Sequence, residues 1–325
     1  MLRSRLFDVM AAGRTMTRLL IVAGCFSLAV VVAGARPGQS AQAQSSDRTT
    51  AAPAVQDGQA GRGRGGRGAG RGARTRKAVL AWADTRNGIA QHDSVSHALA
   101  VIERLGYESG AYDTYIRTDS NIISKQPLMT DGKPASGGPS LSNVDAIFFL
   151  GHREVELNAQ QKADLISFVK DDGKGFVAGH TATTAFLDWP EFGEMLGARY
   201  DGHPWNTAYG SIVNEDPGFP ATRHLPPVFN FTDEFYQARD YSRDRIRVLL
   251  RLEAAKMPAN AELHRTDGDF PLAWARTYGK GRVFYSALGH AASTWDNPDV
   301  YRMYFEALKW SLGLTDGDAT PRPFK

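Results

Sequence analysis

The sequence predicts an α/β domain in which helices cover both faces of a doubly wound, mainly parallel sheet. Three short apolar runs, 77–84, 144–151 and 175–180, have no helical period and are typical of strands buried on both faces. Amphipathic stretches at 95–105 and 158–169 alternate with these runs. Strands and helices that alternate at this spacing favour a parallel sheet.

The first predicted helix opens at His92-Asp93-Ser94, directly after the first strand. Its apolar stripe recurs at helical spacing: Val95, Leu99, Ile102 and Leu105. We expect this helix to end at Gly106, because glycine tolerates the left-handed cap that ends many helices. A second strand is then predicted from Tyr107 to Tyr115.

Two later helices carry their own start signals. Asn158 is an N-cap with Gln161 three residues on, and Gly173 is predicted to stop that helix. Asn297 caps a closing helix that has Pro298 in its first turn. The predicted buried stripe of the closing helix is Val300, Met303, Tyr304, Ala307 and Leu308.

Residues 186–245 contain many prolines, which restrict helices there to short segments. We expect irregular loop insertions on the active face, with a few β segments, such as Tyr209 to Val213. Apolar runs return at 246–253, 270–276 and 281–290, and a Gly-Lys-Gly turn predicts a hairpin between the last two. Residues 77–313 are therefore predicted to form one domain, followed by a C-terminal tail at 314–325.

The N-terminus predicts export. Of the 325 residues, only Leu19 to Ala35 form a long, continuously apolar stretch, which excludes a polytopic membrane protein. Arg14 and Arg18 precede this stretch, and Ala41-Gln42-Ala43 has the small residues that signal peptidase prefers. Residues 1–43 are thus predicted as a cleaved signal peptide of a periplasmic or secreted protein. A lipoprotein box ending at Cys25 and an uncleaved membrane anchor are the alternatives.

Cysteine content and charge exclude further classes of protein. Cys25 is the single cysteine and lies within the signal segment, so the processed chain would have no catalytic thiol, disulfide or cysteine metal ligand. The formal charge of +3 comes from the N-terminal segment 1–43 and from the Arg/Gly-rich segment at 61–77, whereas residues 78–325 are acidic overall. RNA binding by that segment is the weaker interpretation, because no aromatic residue is interleaved. Residues 44–76 are predicted as a disordered linker, with no nucleic-acid partner.

Histidines follow three predicted strands at the edge where parallel α/β sheets bind ligands. His152, His180 and His290 each come directly after a glycine. A single imidazole there is usually a satisfied polar group, but three in equivalent places favour a shared site. His203 and the pair Asp233-Glu234 lie in predicted loops and add one imidazole and two carboxylates.

This set of polar residues has two chemical interpretations. His180, His203, Glu234 and His290 suit either a divalent metal such as Zn²⁺ with an open position or a group of general acids and bases. Their spacing matches no local metal signature, so it leaves both interpretations open. The sequence has no Walker loop, no G-x-S-x-G elbow and no G-x-G-x-x-G after a strand, so we expect no nucleotide cofactor.

Several segments together resemble the ThuA-like family, named for trehalose utilisation. They are HDSV at 92–95, DDGKGFVAGH at 171–180, His203-Pro204, TDEFY at 232–236 and YGKGRVFYSALGHAASTWDNP at 278–298. The resemblance spans about residues 77–313. It implies a flavodoxin-like, class I glutamine amidotransferase-like fold and a role in carbohydrate metabolism, on keto-sugars or glycosides. The family's recurrent polar residues fall on His92, His180, His203, Glu234 and His290.

The sequence departs from the family pattern at one position and from the amidotransferases at another. Phe219-Pro220 stands where family members commonly have His-Pro, so one imidazole is missing unless His224 replaces it. His180 stands where true amidotransferases carry the catalytic cysteine, which excludes glutaminase chemistry.

These observations predict an exported enzyme that acts on a sugar, a keto-sugar or a glycoside. His180, Glu234 and His290 are the predicted catalytic residues, and Asp93 and Asp233 are expected to orient imidazoles. The predicted substrate-binding residues are His92, Asp93, Trp205, Tyr236 and Trp295. A non-catalytic carbohydrate-binding or complex-forming module on the same fold is the alternative. The expected partner is a small carbohydrate, with membrane contact only through the signal segment.

Overall fold

The computed structural model describes residues 76–86, 91–129, 131–152 and 157–324. The predicted signal peptide and almost all of the predicted linker therefore lie outside the described residues. The strands of the described part are β1 (Lys77–Trp82), β2 (Tyr112–Arg117), β3 (Ala146–Phe149), β4 (Gly175–Gly179), β5 (Arg199–Tyr200), β6 (Thr207–Asn214), β7 (Val228–Glu234), β8 (Ala238–Arg239), β9 (Arg247–Leu252), β10 (Phe270–Tyr278) and β11 (Gly281–Ser286). Its α-helices are α1 (Ser94–Ser109), α2 (Ala159–Lys170), α3 (Pro190–Leu196) and α4 (Pro298–Ser311).

The central sheet has the strand order β2-β1-β3-β4-β11-β10-β9-β6-β7. Neighbouring strands from β2 to β11 run parallel. From β11 through β10, β9 and β6 to β7, neighbouring strands run antiparallel. The sheet therefore has a parallel half and an antiparallel half. Strands β5 and β8 form a separate two-stranded ribbon. The predicted α/β class with a flavodoxin-like parallel core is confirmed.

Helices cover both faces of the parallel half. Helix α1 packs against α4, and α2 packs against α3. All residues of β3 and β4 are buried, which requires cover on each face because successive side chains point to opposite sides. The predicted stripe of α4, from Val300 to Leu308, is buried. The Asn158–Gln161 capping box of α2 is also present.

Helix α1 is longer than the sequence predicts. It passes through Gly106 and ends at Ser109, with Gly110 as the left-handed cap at φ +68°. Position 106 requires a glycine because the ring of Tyr112 packs against its Cα and leaves no room for a Cβ. This glycine therefore lies inside the helix and does not mark its end. The following strand therefore begins at Tyr112, not at Tyr107.

The proline-rich region contains three strands besides the segment named from the sequence, β5, β7 and β8. Helix α3 is short, as predicted, and β6 includes the predicted segment Tyr209 to Val213. Asp233 and Glu234 were expected in a loop, but they end β7, which pairs with β6 at the edge of the sheet. The first part of β7 is only half-buried, so it lacks the continuous apolar run that marks a buried strand. In the described part of the chain, no helix has the length and apolarity to cross a membrane.

Candidate active site

A cavity of about 730 Å³ lies beyond the carboxyl ends of β1, β3 and β4. The residues that follow β1, β3, β4 and β11 meet the end of β7 there. The lining includes His92, His152, His203, Glu234, Tyr236 and His290. This volume is within the range of small-molecule sites.

Glu234 is surrounded by four imidazoles. Its Oε2 lies 3.2 Å from His290 Nδ1, 3.3 Å from His180 Nε2 and 3.9 Å from His92 Nε2. Its Oε1 lies 3.8 Å from His203 Nδ1. Desolvation favours a higher pKa, but hydrogen bonds from His180 and His92 and the charges of His180 and His290 outweigh it and hold the pKa of Glu234 below its usual value. The carboxylate is therefore ionised at neutral pH.

His180 adopts an unusual backbone conformation directly after β4. Its φ is +34°, in a region that residues other than glycine rarely occupy, and its side chain is fully buried. Nδ1 lies 2.6 Å from the carbonyl oxygen of Ala287. Because a carbonyl only accepts, Nδ1 carries a proton in this contact. Nε2 lies 3.0 Å from the Tyr236 hydroxyl and 3.3 Å from His290 Nδ1.

Asp233 connects the end of β7 to the segment that carries His290. Its buried carboxylate accepts the backbone N–H groups of Gly289 at 2.8 Å, Glu234 at 2.9 Å and His290 at 3.1 Å. Burial raises the pKa of Asp233, although the charge of His180 and the three N–H groups act against it. Asp233 was predicted to orient an imidazole directly. In the structure it positions His290 and Glu234 through their backbones.

Four side chains have the geometry of a metal site. One ligand atom from each of His92, His180, Glu234 and His290 lies within 4.8 Å of the other three. Ligands about 2.1 Å from a tetrahedral Zn²⁺ are about 3.4 Å apart, close to the distances from Glu234 Oε2 to His180 and His290. Desolvation, helped by the charges of His180 and His92, lowers the pKa of His290 despite the opposing charge of Glu234. The imidazole is thus neutral over a wider pH range, as a metal ligand must be.

Comparison with known proteins identifies the family. Residues 78–311 match the family model described as "ThuA: Trehalose utilisation". The chain belongs to the ThuA family. No curated protein matches it.

Two solved structures of ThuA-like proteins have the same fold. The protein from Bacteroides uniformis superposes with a TM-score of 0.57 at 19% identity, over 76% of this chain and 95% of the other. The protein from Parabacteroides merdae gives a TM-score of 0.55 at 18% identity, over 76% of this chain and 98% of the other. At these identities the similarity shows the fold of this ThuA-family protein and leaves its chemistry to the site.

The structure brings together the three residues predicted as catalytic, His180, Glu234 and His290. The four residues within ligand distance differ from the predicted metal set by one residue. His92 joins these three within ligand distance, whereas His203 lies on the other side of the carboxylate, near Oε1. The sequence analysis assigned His92 to substrate binding. A histidine on the loop after β1 gives no local sign that it lies close to the residues after β4 and β11.

Two predicted substrate-binding residues do not line the cavity. Trp295 is fully buried, stacks on Tyr304 with ring centroids 4.5 Å apart, and donates its indole N–H to Gly289 O. Trp205 donates to Pro258 O and packs on Phe270 outside the cavity lining. Core packing and loop anchoring therefore explain both indoles. Asp93 does line the cavity, as an exposed residue, and so does Tyr236.

His152 and Tyr200 are among the lining residues that were not assigned a specific role from the sequence. His152 lies 5.1 Å from His92 between ring centroids, and its Nδ1 is 3.3 Å from Thr184 Oγ1. The Gly-His pair at the end of β3 was the available signal for it. Tyr200 packs edge-on against Tyr236 at 4.8 Å, but it lies in a two-residue strand that has no sequence signature.

The departure from the family pattern at Phe219 lies away from this site. Phe219 is buried against Trp310, with ring centroids 5.1 Å apart. His224, the suggested replacement, contacts the backbone oxygen of Asp299 at 2.9 Å. Neither side chain lines the cavity. The missing imidazole therefore removes nothing from the cluster around Glu234.

Proposed function

We propose that this ThuA-family protein is an enzyme that acts on a sugar, a keto-sugar or a glycoside. The observation that carries the proposal is the convergence of His92, His180, His290 and Glu234 from four separate segments within ligand distance of one another, with all but the buried His180 lining one cavity. Structural histidines need no such arrangement, because each imidazole is satisfied by one or two local partners. The family's link to trehalose utilisation supports a carbohydrate as the substrate.

The proposal includes a divalent ion, such as Zn²⁺, held by His92, His180, Glu234 and His290. Three neutral imidazoles and one carboxylate are a donor set that Zn²⁺ accepts. When bound, such an ion polarises a carbonyl group or lowers the pKa of a water molecule. The hydrogen bond from His180 Nδ1 to Ala287 O leaves Nε2 as the nitrogen that can bind the ion.

Other side chains of the cavity bind the substrate and move protons. His203 faces Glu234 Oε1 and is partly exposed, so it can take a proton from a substrate hydroxyl and release it to solvent. Tyr200 provides aromatic surface for the apolar face of a sugar ring, whereas the Tyr236 ring is already stacked on His180 and lines the cavity beside it. Asp93 offers a carboxylate acceptor for sugar hydroxyls at the exposed side of the cavity.

Metal analysis and one substitution test this proposal. Protein purified without chelators should contain a divalent ion at near-unit stoichiometry, and a thermal-shift screen should find stabilisation by that ion and by sugars or 3-keto-sugars. His290→Ala should abolish ion binding and turnover while far-UV circular dichroism stays unchanged. His264→Ala is the matched control, because His264 is an exposed histidine that pairs with Asp201 outside the cavity.

Two outcomes would contradict the proposal. Full activity of His290→Ala would show that the cluster takes no part in the reaction. Sugar binding without an ion and without turnover would instead support a non-catalytic carbohydrate-binding module on the same fold.

We also infer that the protein is exported. The apolar stretch at 19–35 and the small residues before Gln44 support a signal peptide that is cleaved after Ala43. Protein recovered from the periplasm or the medium of an expressing cell should begin at Gln44. A lipid-modified N-terminus at Cys25, or an intact N-terminus in the membrane fraction, would overturn this inference.

A further inference from the structure

Strand β7 is the last strand of the central sheet, and in the described part of the chain only β6 pairs with it. The Asn214 N–H donates to Pro227 O at 2.9 Å, so every second residue after Pro227 bonds inward to β6. The backbone N–H and C=O groups of the residues between them point away from the sheet. These residues are Val228, Asn230 and Thr232, and all three are exposed.

The outward edge of β7 is bounded at both ends. Pro226 and Pro227 precede it and have no N–H to donate. At the other end, the N–H of Glu234 already donates to Asp233 Oδ1 at 2.9 Å. Between these limits, residues 228–232 carry no charged side chain and no proline. Edge strands are usually protected from pairing by charge, proline or a bulge, so this edge is available for another strand.

The edge at the other end of the sheet, β2, is protected in the usual way. Asp113 and Arg117 place charges on β2. Asp113 pairs with Arg76 at 3.5 Å, and Arg117 pairs with Asp119 at 2.8 Å. Of the two edges of the sheet, β7 is therefore the one suited to pairing with another strand.

The sequence of the β7 edge is symmetric about Asn230. In both directions from Asn230, a phenylalanine comes first and a β-branched residue second. Antiparallel pairing of two such edges about Asn230 places Asn230 opposite Asn230 and Val228 opposite Thr232. It also places Phe229 opposite Phe231. Aromatic and β-branched cross-strand pairs stabilise antiparallel sheets, and the outward N–H and C=O groups fall in the hydrogen-bonded pairs.

Exposure and charge also favour a second copy of this chain as the partner. Tyr209 is 68% exposed and lies beside Thr232 in the β6–β7 register, and Val228 is 52% exposed. The pairing brings Val228 of one copy beside Thr232 of the other, which extends this row over the exposed apolar surface. Residues 78–325 are acidic overall, so two copies repel each other on average, but the uncharged 228–232 edges meet without like-charge repulsion.

We propose that two copies of the protein pair through their β7 edges, antiparallel about Asn230, and join their central sheets into one continuous sheet. The interface is isologous, because the same residues of both copies face one another across a twofold axis. The proposal needs neither the ion nor the sugar of the proposed function, so either can fail without the other.

Sedimentation velocity of the chain without residues 1–43 tests this pairing. The unmodified protein should be a dimer. Asn230→Lys and Asn230→Asp each place two like charges opposite one another, so each should raise the dissociation constant of the dimer at least about tenfold. An equimolar mixture of the two variants should restore the dimer, because a lysine then faces an aspartate. Recovery in the mixture also shows that both variants are folded.

Tyr115→Lys is the matched control, because it adds the same charge at a 40% exposed position of the β2 edge and should leave the dimer intact. A monomeric unmodified protein at its highest soluble concentration would overturn the proposal and leave the β7 edge to an extended segment of another protein. A dimer that neither Asn230 variant weakens would place the interface elsewhere. Loss of the dimer without recovery in the mixture would show that position 230 does not face itself, which also overturns the proposed pairing.

Discussion

Replacing Trp295 by Phe tests whether this indole belongs to the core or to the binding site. Trp295 is fully buried, and its N–H donates to Gly289 O at 3.0 Å. Losing that bond leaves a buried carbonyl without its partner, which costs about 1–3 kcal/mol. The smaller ring leaves a void of about 40 Å³, which costs about 1 kcal/mol at about 24 cal/mol per Å³. We therefore expect Trp295→Phe to lower the free energy of unfolding by about 2–4 kcal/mol.

Urea unfolding followed by far-UV circular dichroism measures this change, since that signal does not depend on the indole that is removed. Trp205→Phe is the matched control: it also loses an indole N–H bond to a carbonyl, but at a partly exposed position, so the expected loss is below about 1 kcal/mol. Sugar affinity of the folded Trp295→Phe protein should be unchanged. Normal stability together with weakened sugar binding would refute the core assignment and return Trp295 to the site.

Three further predictions concern groups that position the site or stabilise the domain. Asp233→Asn should lower the free energy of unfolding by about 1–3 kcal/mol, because the amide has one acceptor oxygen where the carboxylate has two, and its NH2 group cannot accept the Gly289 N–H when its oxygen accepts from Glu234 and His290. Calorimetry should show ion affinity about 10–100-fold weaker, and unchanged affinity would contradict the positioning role of Asp233. Asn158→Ala should cost about 1 kcal/mol by loss of the α2 cap, measured by urea unfolding, and a loss below about 0.3 kcal/mol would contradict the capping box. Desolvation raises the pKa of Asp145, but the hydrogen bonds from Lys174 and Ala78 prevail and lower it. The stabilisation by Asp145 is therefore present above the unfolded-state pKa of about 3.9 and lost as pH falls through the lower folded-state value, so acid unfolding of Asp145→Asn should lack this part of the pH dependence.

Local signals were sufficient for the parallel half of the fold. The runs at β1, β3 and β4 are apolar throughout because both faces of these strands are buried, and the caps at Asn158 and Asn297 mark helix starts by hydrogen bonds to nearby N–H groups. The end of α1 was mispredicted because the burial of Gly106 depends on Tyr112, whose contact is made only after the chain turns back.

The candidate site shows the same division between local and distant information. Residues at strand ends, such as His180 and His290, could be selected from the sequence because the carboxyl edge of a parallel sheet is where ligands bind. The composition also limits cysteine chemistry to one residue, since Cys25 is the single cysteine.

Tertiary structure alone decided which of these residues share ligand distance. His92 replaced His203 in the four-residue cluster, and Trp295 moved from the site to the core. Glu234, which the sequence analysis had already selected, lies within 3.3 Å of His180 and His290 at the end of β7. Distances of 3 to 4 Å between side chains from separate strands depend on strand order and on loop paths, and neither leaves a periodic pattern in the amino-acid sequence.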